Sequence, residues 1–178
     1  MSNSTGISLR PASIGDAEAI RTIYNYEVEH TTATFDLVPR SLADQEAWIA
    51  ERSGAFTVIV ATDTASGEVL GFAGLSPYKE RAAYRTSVED SVYVRRDSHG
   101  RGIGGLLLNH VLDLAADSGF HVVMARIEAS GTASRSLHER CGFRLVGIER
   151  EIGRKFNRWL DVALMQCVLH ERSERKPL

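Results

Sequence analysis

The apolar positions of the chain follow a strand period in some stretches and a helix period in others. Alternating or continuous apolar runs predict seven strands, at residues 7–10, 56–61, 69–75, 88–94, 122–127, 143–150 and 160–169. Apolar residues at helical spacing predict four helices, after Ser13 or Asp16, after Ser41, at 103–118 and at 133–141. The resulting order, βααβββαβαββ, predicts a mixed α+β fold, and we expect the charged tail from Glu171 to be frayed.

The length and charge of the chain limit its class. Its 178 residues suffice for one domain, predicted to span 1–178 with its folded part at about 7–169. A formal net charge of −2 provides no overall field for nucleic acid or an anionic membrane, and we expect neither as a partner. Cys141 and Cys167 lack the spacing of metal ligands, so we expect no metal and a reducing, cytoplasmic setting. Residues 1–6 are polar, unlike a signal segment, and no apolar run approaches the roughly 20 residues of a membrane span.

A glycine-rich turn between a predicted strand and a predicted helix carries the strongest chemical signal. Residues 100–105 read Gly-Arg-Gly-Ile-Gly-Gly, and the helix begins at Ile103. Such a turn presents backbone N–H groups to an anion, and the helix N-terminus adds a partial positive charge. The pattern predicts binding of a phosphate-bearing small molecule, and a tight connection without a ligand is the alternative.

The same glycines satisfy the dinucleotide pattern G-x-G-x-x-G, with Glu128 near the expected position of a ribose-binding carboxylate. Two observations argue against this interpretation. Residues 95–99 separate the strand from the first glycine, which in a dinucleotide site follows the strand almost at once. The predicted hairpins also cannot supply the parallel strands and crossover helices of a doubly wound sheet.

Several motifs together resemble a known family. The segment His99–x–x–Gly102–x–Gly104 resembles the acetyl-CoA motif Gln/Arg-x-x-Gly-x-Gly/Ala of the GNAT acetyltransferases, with His99 at the first position. Longer blocks resemble, in order and spacing, the phosphinothricin and methionine sulfoximine N-acetyltransferases of that superfamily. These blocks are residues 34–35, 77–84, 88–94, 137–143 and 153–162. The resemblance extends over about residues 7–169.

This resemblance implies the GNAT fold, with a mostly antiparallel twisted sheet that splays at an acetyl-CoA site and carries helices on both faces. It implies acetyl-CoA as the co-substrate, with a pantetheine arm paired to exposed strand backbone. The residues that it assigns to this site are Val92, Tyr93, Val94, Gly100, Arg101, Gly102, Ile103, Gly104 and Gly105. Gly131 stands where the family usually has an Asn that contacts the cofactor. A homodimer is implied as well.

The resemblance also implies acetyl transfer to the amino group of a small amino acid. Glu89 matches the catalytic glutamate of the family and is expected to act as a general base through a water molecule. His138, or alternatively a tyrosine, is a candidate general acid for the leaving thiolate, and a backbone N–H near residues 92–94 would hold the oxyanion. The acceptor residues that the resemblance implies are Phe35, Lys79, Glu80, Arg81, Tyr84, Asp90 and Ser91.

Two other functions stay open at the level of sequence. One is a GNAT enzyme for a different amine, such as a protein N-terminus or a polyamine. The basic residues Lys79, Arg81 and Arg85 argue against a polyamine acceptor. The other is a non-catalytic sensor of acyl-CoA or of an amino acid, which the departures at His99 and Gly131 leave open.

Overall fold

The computed structural model describes residues 6–175, and side chains up to residue 172. The strands in this range are β1 (Ile7–Pro11), β2 (Ile59–Asp63), β3 (Val69–Pro77), β4 (Ser87–Val94), β5 (Val122–Glu128), β6 (Arg144–Lys155) and β7 (Arg158–Val168). The helices are α1 (Ala17–His30), α2 (Leu42–Ala50), α3 (Ile103–Asp117), α4 (Thr132–Arg140) and α5 (Leu169–Arg175). The predicted order of strands and helices is confirmed up to β7.

All seven strands belong to one sheet, in the order β1-β2-β3-β4-β5-β7-β6. Every neighbouring pair is antiparallel except β4 and β5, which run parallel. Tight hairpins join β2 to β3 and β6 to β7, and left-handed residues at Gly67 and at Phe156 and Asn157 allow the chain to reverse there. A sheet with one parallel pair is a mixed sheet, which excludes the doubly wound alternative.

Helices cover both faces of the sheet. On one face α3 fills the core, with Leu107, Leu108 and Leu112 fully buried, and α4 and α5 pack beside it. On the other face α1 and α2 cover a second cluster around Ile20 and Phe72. The sheet therefore has an α3 face and an α1 face, and the two names are kept below.

Three segments differ from the sequence predictions. The tail expected to fray from Glu171 forms α5, because Arg172 hydrogen-bonds Asp113 at 2.6 Å and Asn109 at 2.8 Å on α3. Residues 176–178 of that tail lie outside the described residues. The strand expected at 56–61 begins at Ile59, since Gly54–Phe56 forms a 3-10 turn. The strand expected to end at 150 continues to Lys155.

Candidate active site

A gap opens in the middle of the sheet, between β4 and β5. The two strands pair over three residues, and the last pair is Glu89 with Met124. Beyond it β4 pairs with β3 as far as Val94, while β5 pairs with β7 as far as Glu128. The backbone of residues 90–94 therefore faces the gap without a strand beside it. This is the splay that the sequence resemblance predicts.

The glycine turn connects β4 to α3 at one end of the gap. A 3-10 turn at Arg96–Ser98 leads to Gly100 and Gly102, whose φ angles of 80° and 78° suit glycine alone without strain. Gly102 is the N-cap of α3, and no side chain caps the helix there. The backbone N–H groups of the first turn of α3 are therefore open to an external anion.

Two contacts hold this turn in place. His99 Nε2 lies 2.9 Å from the Val94 carbonyl oxygen, so the imidazole bonds the last residue of β4. A Cβ on Gly104 would come within 3.0 Å of Leu137 Cδ2 on α4. Glycine at position 104 thus allows α3 and α4 to approach closely without a shift of the Leu137 side chain.

The gap and the turn belong to a cleft of about 1070 Å³. The predicted site residues that line it are Phe35, Glu89, Asp90, Ser91, Val92, Tyr93, Val94, Gly100, Gly102, Ile103, Gly104, Gly105, Gly131 and His138. Most of the predicted donor and catalytic residues are therefore brought together. Gly131 is the N-cap of α4, where a Cβ would come within 3.0 Å of the Glu128 carbonyl oxygen.

Glu89 lies on the α1 face at the point where the two strands part. Its side chain is half-buried in the cleft wall. Burial raises the pKa of its carboxyl, Arg126 opposes the rise, and the nearby Asp90 and Glu149 add to it. A carboxylate with a raised pKa is a better proton acceptor near neutral pH, so this environment suits a general base.

Asp90, the next residue of β4, projects to the α3 face and pairs with His138 of α4. Asp90 Oδ2 lies 3.0 Å from His138 Nε2, and the side chains are 2% and 5% exposed, respectively. The second ring nitrogen, Nδ1, donates to the Ser134 carbonyl oxygen at 2.7 Å. Burial lowers the pKa of His138, but the hydrogen bond and charge of Asp90 outweigh it, so the pKa is raised above 6.5. Both ring nitrogens of His138 therefore already have hydrogen-bond partners within the protein.

Residues 31–35, which follow α1, form a further wall of the cleft, and residues of β6 contact this segment. Lys155 Nζ donates to the carbonyl oxygens of Thr34 at 2.8 Å and Glu27 at 3.3 Å. The Phe35 ring packs on Gly153, where a Cβ would overlap it. These contacts fix Phe35 at the cleft wall on the α1 face.

Five predicted site residues do not line the cleft. Lys79, Glu80, Arg81 and Tyr84 lie in the exposed segment between β3 and β4, where Lys79 Nζ sits 5.3 Å from the centre of the Tyr84 ring. Arg101 lies outside it too and contacts Asp63 at 3.4 Å. Their contribution to binding stays a prediction.

Two cleft residues of β5 have no acceptor role in the sequence prediction. Arg126 forms an ion pair with Glu149 at 2.7 Å, and Glu128 accepts hydrogen bonds from Thr32 and Ser130 at 3.1 Å each. Both lie on the α1 face, like Glu89. The signal in the sequence is that β5 is apolar except at these two alternate positions, which share one face.

Comparison with known proteins defines the class. Residues 20–143 match the model of the acetyltransferase (GNAT) family. The chain belongs to the GNAT family of acetyltransferases, and it is an N-acetyltransferase. This confirms the predicted fold and enzyme class, and acetyl-CoA as the co-substrate that GNAT acetyltransferases use.

Individual relatives show which members of the family this chain is similar to. An L-methionine sulfoximine/L-methionine sulfone acetyltransferase of Pseudomonas paraeruginosa is 41% identical, over 91% of this chain and 94% of the relative. A phosphinothricin N-acetyltransferase of Streptomyces coelicolor is also 41% identical, over 92% and 96%. The solved structure of a phosphinothricin acetyltransferase from Sinorhizobium meliloti with acetyl-CoA has a TM-score of 0.88 at 35% identity, covering 97% of this chain and 94% of that one. The predicted resemblance to this group is confirmed.

Within residues 6–175, no three His, Cys, Asp or Glu side chains are grouped to hold a metal ion. No helix in the same range is long and apolar enough to cross a membrane.

Proposed function

We propose that the protein transfers an acetyl group from acetyl-CoA to the α-amino group of a small amino acid, such as phosphinothricin, methionine sulfoximine or methionine sulfone. The supporting observation is the position of Glu89. This half-buried carboxylate, with its raised pKa, stands where β4 and β5 part. The names of the 41% identical relatives supply the acceptor class.

In the proposed mechanism Glu89 takes a proton from the acceptor ammonium through one water molecule. The neutral amine attacks the thioester carbonyl, and a backbone N–H near residues 92–94 stabilises the oxyanion that forms. The C–N bond forms, the C–S bond breaks, and the sulfur leaves as a thiolate. The nitrogen loses its second proton to solvent as the amide forms, and the thiolate is protonated from solvent. A thiol pKa near 8.5 means that this leaving group needs little help from an acid.

His138 contributes by position in this proposal rather than as the acid. Its Nε2 faces Asp90 and its Nδ1 faces the Ser134 carbonyl, so neither N–H points to a reacting atom. The pair instead ties α4 to β4 beside the gap. Its role is to hold the spacing of the two walls between which the donor lies.

The donor would occupy the α3 side of the cleft. The strand backbone at Val92, Tyr93 and Val94 fits an extended pantetheine arm, as a peptide fits a sheet edge. The open N–H groups behind Gly102 fit a pyrophosphate. Gly131, at the N-cap of α4, offers backbone where the family usually offers an Asn side chain.

The acceptor would occupy the α1 side, next to Glu89. Phe35 and Ser91 line the cleft there, and we propose that Phe35 is the apolar wall of the acceptor pocket. Lys79, Glu80, Arg81 and Tyr84 are proposed acceptor contacts. Because they lie outside the cleft of the single chain, their role requires movement of their loop or a neighbouring subunit.

We also propose that the single domain works as a homodimer in the cytoplasm. An exposed apolar patch on the edge of the sheet, at β6 and β7, supports a dimer. It comprises Leu145, Val146, Ile148, Ile152 and Trp159, which are 43–61% exposed. Both cysteines are buried free thiols, as is usual in a reducing compartment.

The test of the function is release of free CoA from acetyl-CoA, measured with a thiol reagent at pH 8 over about twenty amino acids and analogues. We expect turnover with at least one of the three named acceptors. Glu89→Gln should lower kcat by about 10²–10⁴-fold, as for loss of a general base. Glu46→Gln on α2, outside the cleft, is the control and should leave kcat unchanged. CoA binding without release for any amino acid would contradict the proposal and favour a sensor.

A further inference from the structure

Arg126 is a charged side chain of the cleft that has no part in the proposed binding of acetyl-CoA or in the proposed proton transfer to Glu89. It lies on β5, two residues beyond Met124, which pairs with Glu89, so both project to the α1 face. Arg126 lines the cleft. Among the described residues its one ion pair is with Glu149, through Nη2 and at 2.7 Å.

Other cations of the cleft are less suited to bind a ligand on this face. Arg96 makes two hydrogen bonds to the buried carboxylate of Glu27, at 2.9 and 2.6 Å. His138 and Arg140 lie on α4, which packs on the α3 face, and His138 is paired with Asp90. Arg126 differs because both it and its partner Glu149 are about one-third exposed, at 35% and 36%. An ion pair of this kind is weak and can exchange its carboxylate for another anion.

The strand order fixes how far Arg126 reaches from Glu89. To meet Glu149 on β6, its side chain crosses β7, while Glu89 lies on β4 at the other side of β5. Paired strands are about 4.8 Å apart, so β4 and β7 are separated by about 10 Å at the Glu89–Met124 pair, and by more beyond it, where β4 and β5 part. A water between Glu89 and the acceptor nitrogen spans two hydrogen bonds of about 2.8 Å each, and the acceptor bridges the rest.

With this spacing Arg126 can reach the group at the end of the acceptor side chain, called the head below, but not the α-carboxylate. The α-carboxyl carbon is two bonds from the amine and stays next to Glu89. In a glutamate-like amino acid the acidic head is four bonds from the amine, which places it toward Arg126. Glu149 then occupies the place that such a head would take.

We infer that Arg126 is a specificity-determining residue that binds an anionic side-chain head, so that the enzyme prefers acidic, glutamate-like acceptors to neutral ones of the same length. This inference rests on the proposed function, because it uses the amine position set by Glu89. In this proposal Glu149 competes with the acceptor for Arg126, and the acidic head displaces Glu149 when the acceptor binds.

A matched pair of acceptors tests the inference. Phosphinothricin and L-methionine sulfone have the same chain length and a methyl-bearing head, and they differ in the charge of that head. We expect wild type to prefer phosphinothricin. Arg126→Met should lower its kcat/KM by about 10-fold or more and change that of the sulfone by less than about 3-fold. Arg126→Lys should recover part of the loss.

Two further variants sharpen the comparison. Glu149→Gln removes the competitor and should lower the KM for phosphinothricin by about 3-fold without changing that for the sulfone. Arg21→Met is the control, because Arg21 is ion-paired to Glu18 on α1 and does not line the cleft. Equal losses for both acceptors in Arg126→Met, or no loss for either, would overturn the inference while the proposed function stands.

Calorimetric binding of phosphinothricin in the presence of CoA separates the two proposals. If no amino acid of the screen is acetylated, the proposed function fails. Weaker phosphinothricin binding by Arg126→Met than by wild type would still support the inference. Equal binding by the two proteins would refute it, with or without turnover.

Discussion

The Asp90–His138 pair gives a quantitative prediction for His138→Ala. The change leaves a carboxylate that is 2% exposed without its partner, and Asp90 Oδ1 already has no hydrogen-bond partner among the described residues. Removing one member of a buried ion pair costs about 3–5 kcal/mol. Loss of the edge-to-face contact with Phe143, at 4.9 Å, adds about 1 kcal/mol. At about 2–4 °C per kcal/mol for a chain of this size, Tm should fall by about 8–24 °C.

The pair also sets the sign of a pH dependence. In wild type the pKa of folded His138 lies above 6.5, so the stability it contributes is complete below pH 6.5 and is lost as pH rises through the raised pKa. In Asp90→Asn the burial of His138 is no longer offset, so its pKa should fall below 6.5. The contribution then reverses: it is present above pH 6.5 and is lost as pH falls. The Asn amide can donate to neutral Nε2, so folding is retained.

Urea unfolding at pH 6, 7 and 8.5 measures both effects, with His110→Ala, an exposed histidine of α3, as the control. A loss below about 1 kcal/mol in His138→Ala would refute the buried ion pair. So would parallel pH slopes in wild type and Asp90→Asn. If His138 is instead the general acid, kcat should drop about 100-fold or more while unfolding stays unchanged.

Three further variants test the walls of the site. Gly153→Ala should displace the Phe35 ring, which raises the KM for the acceptor but not the KM for acetyl-CoA. It should also lower the free energy of unfolding in urea by about 1–3 kcal/mol. Phe35→Leu in the same chain should recover both losses, because the smaller side chain leaves room for the added methyl group. Lys155→Met removes both hydrogen bonds of Nζ, and we expect about 1–3 kcal/mol lower stability and a higher acceptor KM; unchanged values of both would contradict the anchoring of Thr34. Arg172→Ala should lower stability by about 1 kcal/mol with kcat intact, as measured by thermal unfolding, and no change in Tm would show that α5 is not anchored through this residue.

Elements with strong periodicity are predictable from sequence nearly to the residue. The helix expected at 103–118 is observed at Ile103–Asp117, because its apolar positions all face one core. The β6–β7 hairpin is less predictable. A bulge between Glu149 and Gly153, with Glu151 at a φ of 51°, shifts the alternation, and this edge strand exposes apolar and polar residues alike.

The residues of the candidate site also differ in how well the sequence predicts their position. The glycine turn is predictable because its residues are contiguous and their conformation is local. The contact of Lys155 with Thr34 joins positions far apart in the sequence, so no spacing rule indicates it. The basic residues around Lys79 are prominent in the sequence, yet the fold decides which cations face the cleft, and Arg126 is one of the arginines that line it, together with Arg96 and Arg140.

The short parallel pairing of β4 with β5 has a mechanical consequence. It makes the sheet two antiparallel units, β1–β4 and β5–β7, joined by a seam of three residue pairs. Glu89, the proposed base, belongs to one unit and Arg126 to the other, so a donor and an acceptor that fill the gap would contact both units and hold them together. Amide protons of residues 90–94 should therefore exchange with solvent far more slowly once the gap is filled, as hydrogen exchange can measure. Filling the site therefore also stabilises the two halves of the sheet against separation.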